Sequence, residues 1–272
     1  MVDRQTRARE RQGQNSLKPR AVSVAVFVPL TLIAVWLGGW IFVATLMVAA
    51  VVMTWEWNRL TATHWKTVGA GFQVVALLGV LWLAHGGLTQ VAFAVLVASA
   101  FVSGLLAHLG GRSAIWGFLA LLYLGPALIS LIWLRKNTVY GMEAIIWLLV
   151  LIWLCDTGAY FAGKNLGGPK LAPAISPNKT WSGAIGGAIA GGLVGAGAAH
   201  IQGWGTIPIM GAMGVGLAAW AQFGDLMESA VKRRFGAKDS GTLLPGHGGL
   251  LDRLDSLLFA APVAAAAAYW LA

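Results

Sequence analysis

"WSGAIGGAIAGGLVGAGAAH", residues 181–200, runs for twenty residues without one charged side chain. A helix needs about 20 mainly apolar residues to cross the hydrocarbon core of a bilayer, and this stretch has that length. Gly183, Gly187, Gly191 and Gly195 recur in it at four-residue spacing. On a helix they fall on one face as a smooth stripe, which lets a second helix approach closely. The stretch reads as a membrane-spanning helix with a packing stripe.

Eight more candidate spans lie around it, near 21–40, 41–57, 68–85, 88–109, 114–134, 141–163, 205–224 and 256–272; only Gly38 and Gly39 separate the first two. The composition agrees. Of the 272 residues 58% are hydrophobic and only 11% charged, with a mean hydropathy of +0.72, whereas a soluble domain has roughly a quarter of its residues charged. The expected fold is all-α: a polytopic integral membrane protein of about nine transmembrane helices. We read residues 1–20 as a basic cytoplasmic tail and 21–272 as a single membrane domain without an internal repeat.

The net charge of +9 would suggest nucleic acid in a soluble chain. In a membrane protein an excess of Lys and Arg marks the cytoplasmic side instead, so no nucleic-acid partner is expected. With nine spans and the tail inside, 17 of the 19 basic residues fall on inward segments, leaving Arg135 and Lys136 outside. This predicts a cytoplasmic N-terminus. The one cysteine, Cys155, excludes an internal disulfide and reads as buried packing.

The acids are gathered on the same side. Glu56, Asp156, Asp225, Glu228, Asp239, Asp252 and Asp255 all fall at inner span ends or in inward loops. Carboxylates at membrane depth are costly and point to function. Asp225 and Glu228 are spaced i,i+3, as are Asp252 and Asp255, so each pair shares a helix face. Between them lies "KRRFGAKDSGTLLPGHGGLLDRLDS", residues 232–256. Its Gly248-Gly249 turn precedes a helix start, where free amides and the helix dipole favour an anion. Asp252 and Asp255 could also serve as simple caps there. A second polar stretch, "DTGAYFAGKNLGGPKLAPAISPNKT" at 156–180, has prolines and glycines that exclude a regular helix through most of it. It adds Lys164, Lys170, Lys179, Ser176 and Thr180 to the same face. The catalytic loops are thus placed at about 156–180 and 225–256. Carboxylates, Lys/Arg and a glycine turn together indicate a phosphate site with a divalent cation.

The stretch 229–255 resembles the signature of the CDP-diacylglycerol synthases, or phosphatidate cytidylyltransferases. Ser229, Lys232, Arg233, Lys238, Asp239, Pro245, Gly246, His247, Gly248, Gly249, Asp252, Arg253 and Asp255 meet its pattern. "DTGAYFAGK", "ISPNKTWSG" and "GDLMES" are also similar, while Ser182 departs where many members carry Glu. The resemblance implies that CTP and phosphatidate give CDP-diacylglycerol and pyrophosphate, with Mg²⁺ as cofactor and room for a second cation. It also implies membrane lipid as surroundings, a homodimer as one accessible assembly, and the cell inner membrane with the site on the cytoplasmic side. Carried over residue by residue, Asp225 and Asp252 become metal ligands supported by Asp255. Ser229, Lys232, Arg233, Lys238, His247 and Arg253 become phosphate contacts, with Lys179, Ser176 and Thr180 as further substrate contacts.

The rival reading is a membrane transporter or another lipid-phosphate-binding membrane protein. A transporter places charges near the midplane and shows inverted repeats. Here the acids sit at one face.

Overall fold

The computed structural model describes residues 25–61, 67–241, 243 and 248–271. Nine helices are found among them: α1 Ala25–Leu37, α2 Gly39–Leu60, α3 Val68–His85, α4 Thr89–Leu109, α5 Ala114–Asn137, α6 Gly141–Leu166, α7 Trp181–Gln202, α8 Ile207–Arg234 and α9 Leu251–Leu271. Seven of them, α2 to α8, are long and apolar enough to cross a membrane. The chain is a multi-pass membrane protein. The tail over 1–20 lies outside the described residues.

The helices follow the hydropathy, with three refinements. Helix α8 runs to Arg234, ten residues past the expected end at 224, so Lys232 and Arg233 sit on its last turn and not in a loop. Helix α9 begins at Leu251, directly after the Gly248-Gly249 turn where a helix start is expected and five residues before the apolar span, with Asp252 in its first turn. Polar side chains had masked both ends, because hydropathy marks the lipid-covered part of a helix and not its length. The fold is also not purely helical. Strands β1 (Lys170–Ala172) and β2 (Ser176–Thr180) pair antiparallel, Lys170 opposite Thr180 and Ala172 opposite Ser176. Proline drives its preceding residue toward extended backbone, and Pro169, Pro173 and Pro177 punctuate this segment.

Helix α5 is the central helix, with Leu121, Leu124, Leu128, Ile129, Ile132 and Leu134 fully buried. A polar ladder ties four helices at one end of the bundle. Asn58 Nδ2 of α2 donates to Gln73 Oε1 of α3 at 2.6 Å, Gln73 Nε2 donates to Ser103 Oγ of α4 at 2.9 Å, and Ser103 Oγ donates to the Gly117 carbonyl of α5 at 2.7 Å. The opposite end is closed by the two basic residues that break the charge rule. Arg135 Nε donates to the Val35 carbonyl at 3.0 Å, and Lys136 Nζ to the His85 carbonyl at 2.6 Å. Cations suit the last turns of α1 and α3, where carbonyls lack partners.

The glycine stripe packs as its spacing predicts. Gly183, Gly187, Gly191 and Gly195 are all buried. A Cβ on Gly187 would lie 3.0 Å from the Cys155 carbonyl of α6, and one on Gly191 would lie 2.7 Å from the Gly214 carbonyl of α8. The bare stripe thereby seats α7 between α6 and α8, which carry the two polar segments. Cys155 is buried in that contact.

Candidate active site

The start of α9 is where most of the signature residues meet. A helix N-terminus leaves amide donors without intrahelical partners. Here they are taken by the chain's own carboxylates. Glu56 of α2, fully buried, accepts from Leu250 N at 2.8 Å on Oε1 and from Leu251 N at 2.7 Å on Oε2. Asp252 accepts from Gly249 N at 2.8 Å and from Ser240 N at 2.9 Å. Gly248 holds a φ of +84° at this turn, a conformation that disfavours any residue with a Cβ. The amides of Gly249, Leu250 and Leu251 at this helix start are therefore already occupied. The anion at this helix start is internal.

Lys232 is occupied as well. Its Nζ lies 2.8 Å from Glu228 Oε2 and 2.7 Å from Asp252 Oδ1, with all three side chains largely shielded. It links the last turns of α8 to the first turn of α9 as a buried bridge. Glu228 Oε1 is buried without a donor, and the Asp255 carboxyl lies against Glu228 and near Asp225. Two carboxyl groups in contact can share a proton or be bridged by a cation.

The two polar segments meet through two further contacts. Lys179 Nζ of β2 lies 2.6 Å from Asp225 Oδ2 of α8, and Arg233 Nε donates to the Ile175 carbonyl in the hairpin turn at 3.3 Å. Ser229 Oγ donates to Asp225 Oδ1 at 3.4 Å. Asp156 of α6 joins the cluster, within electrostatic reach of Asp225, Lys179 and Arg253. Thr180 caps α7, accepting from Gly183 N at 3.1 Å. Ser176 stands in β2, and Lys238 is exposed beyond α8. His247 lies outside the described residues. Lys179, Arg233 and Asp225 thus join the two segments, with Lys238 and Arg253 exposed nearby in sequence.

The profile of the cytidylyltransferase family matches residues 18–271. The chain belongs to that family. Among its relatives, the phosphatidate cytidylyltransferase of Brucella suis biovar 1 (strain 1330) is 42% identical over 254 residues, covering 91% of this chain and 91% of the relative. The enzyme of that name from Pseudomonas aeruginosa is 38% identical over 265 residues, 92% of this chain and 96% of the relative. The one from Bacillus subtilis (strain 168) is 45% identical over 146 residues, about half of each chain.

A divalent cation fits the cytidylyltransferase site on its donor chemistry. Among the described residues no three acids or histidines already converge as ligands. Mg²⁺ commonly takes one or two carboxylates together with substrate phosphates, so a complete protein cage is unnecessary. Asp225 is partly open to solvent, and the buried carboxyls of Glu228 and Asp255 lie against each other. These are hard oxygen donors of the kind Mg²⁺ prefers. Asp252 is more committed, since Lys232 and two backbone amides already engage both its oxygens.

Glu56 is the residue that sequence reasoning left without a role. The available signal was one unexplained carboxylate near the inner end of an apolar span. Its target, nearly two hundred residues away, could not be read from the chain.

Proposed function

We propose that the chain is a phosphatidate cytidylyltransferase, a nucleotidyltransferase of phospholipid biosynthesis that converts CTP and phosphatidate to CDP-diacylglycerol and pyrophosphate. The observation that carries the reading is the Lys179–Asp225 pair, which joins both polar segments into one charged surface at one end of the bundle. The names of the full-length relatives point to the same reaction.

An oxygen of the phosphatidate monoester forms a bond to the α-phosphorus of CTP. The bond from that phosphorus to the α,β-bridging oxygen breaks, and pyrophosphate leaves with the electron pair. The monoester carries about −1.5 to −2 charge near neutral pH, so its oxygen needs no strong base. What it needs is positioning beside a polyanion and neutralisation of charge. Lys179, Arg233, Lys238 and Arg253 supply positive charge, while Ser176 and Ser229 offer hydroxyl donors. Asp225, with Glu228 and Asp255 beside it, would hold Mg²⁺, which when bound would shield the phosphate oxygens. Lys232 keeps α8 and α9 in register, and Asp252 fixes the turn before α9.

The basic-residue count supports a cytoplasmic site, with the N-terminus on the same side and the C-terminus opposite. In a bacterial cell that surface is the inner face of the inner membrane, where a lipid headgroup and a soluble nucleotide can meet. The test is transfer of labelled cytidylyl group by purified protein. Lipid-extractable label formed from CTP only when phosphatidate is present, with one pyrophosphate per product, supports the enzyme. Label that stays in the aqueous phase rejects it in favour of a lipid-phosphate binder.

A further inference from the structure

We infer that Glu56 is a positioning residue of the active site: a carboxylate from the N-terminal helices that fixes the start of α9, and with it Asp252 and Asp255. The inference rests on the proposed reaction for its kinetic consequence but not for its geometry.

Glu56 lies on the last full turn of α2 and is completely buried. A buried carboxylate without compensation is costly, yet no Lys or Arg forms an ion pair with it among the described residues. What compensates it is the N-terminus of α9. Leu250 N and Leu251 N donate one to each oxygen, at 2.8 and 2.7 Å, and Ser240 Oγ makes a longer contact to Oε2 at 3.5 Å. Amide bonds to a charged acceptor are about twice as strong as neutral ones, and the α9 dipole adds to them.

Two neighbouring positions are shaped around this carboxylate. A Cβ on Gly241 would lie 2.8 Å from Glu56 Oε1, whereas one on Gly249 would meet Ser240 Oγ first and then Glu56 Oε1 at 2.7 Å. Glycine at both sites lets the loop ends close on Glu56. Asp252 grips the same ends from the other side through Ser240 N and Gly249 N. The segment from Ser240 to Leu251 is thus closed at its base by two carboxylates, one from α2 and one from α9. Asp252 then holds Lys232, so a shift at the α9 start passes directly into the α8–α9 cluster. The N-terminal helices, beyond anchoring the chain, set the geometry of a site made by the C-terminal half.

Glu56→Gln keeps the shape but turns one acceptor into an NH₂ group facing a backbone N–H. Its effect separates positioning from mere support. In folded, purified Glu56→Gln protein, kcat should fall about ten- to hundredfold, the size expected for misplacement of reacting groups by about 1 Å. KM for CTP and for phosphatidate should each stay within about threefold, because Glu56 touches neither. Hydrogen–deuterium exchange of peptides covering 249–254 should become at least about tenfold faster than in the wild type. Gly241→Ala should reproduce both effects by crowding the carboxylate. A drop in melting temperature with unchanged kcat per folded molecule would overturn the positioning role. Unchanged exchange at 249–254 would overturn the clamp itself, even in a wild-type protein with no cytidylyltransferase activity. An inactive wild type whose exchange responds as stated would reject the reaction and retain the clamp.

Discussion

Lys179 and Asp225, forty-six positions apart, form a 2.6 Å ion pair between the hairpin strand β2 and helix α8. Both side chains are partly exposed, but Lys179 Nζ itself is buried against Asp225. The value of the pair is location. It brings the basic segment before α7 onto the acidic end of α8, so that on the proposed reading a substrate phosphate would compete with Asp225 for Lys179.

Asp225→Asn should therefore leave the folded protein almost intact and remove its turnover. The melting temperature in detergent should change little, while the initial rate at saturating CTP and Mg²⁺ should fall by at least about a hundredfold. A folded Asp225→Asn protein with a near-normal rate would remove Asp225 from the cation site.

Asp252→Asn should behave differently. Its carboxylate balances Lys232 and accepts backbone amides from Ser240 and Gly249. Breaking one side of a buried ion pair costs about 3–5 kcal/mol. Thermal unfolding should show a clear loss of stability together with the loss of activity. Lys232→Ala should likewise be destabilised, and raising the substrate concentration should not restore its rate. Restoration at high CTP would mean that Lys232 contacts phosphate directly.

Removal of divalent cations by thorough chelation should abolish CDP-lipid formation, and added Mg²⁺ should restore it. The measurement is product formation in purified protein across a Mg²⁺ titration. Undiminished synthesis after chelation would eliminate the cation from the reaction.

The packing of α7 gives a paired test. Gly191→Val drives side-chain atoms into Ala218 and the Gly214 carbonyl, and should cost about 3 kcal/mol or more. Gly197 of the same helix has no atom within 4 Å of an added Cβ. Gly197→Ala should be neutral or up to about 1 kcal/mol stabilising, as alanine loses less entropy in a helix. Detergent melting curves of both variants decide it; equal losses would mean that the stripe is not the packing face.

The nine-helix alternation predicts opposite sides for the C-terminus and the 164–180 segment. Reporter fusions after Ala272 and within that segment should give opposite signals. Matching signals would discard the topology.

The sequence by itself determined the membrane class, the positions of the helices, the packing stripe and the two polar segments. Each is a local or periodic property: apolar length for a span, four-residue spacing for the glycine face, prolines for the break that became β1 and β2. Partners distant along the chain were decided only by the tertiary structure. Asp252 and Lys232 read equally well as free site groups, yet they face each other once α8 packs on α9. The helix-start amides read as an anion site, and the fold supplies that anion from Glu56, 194 and 195 residues away from Leu250 and Leu251. A donor's chemistry is written in its residue type, but whether it remains available depends on which acceptor the fold brings within 3 Å.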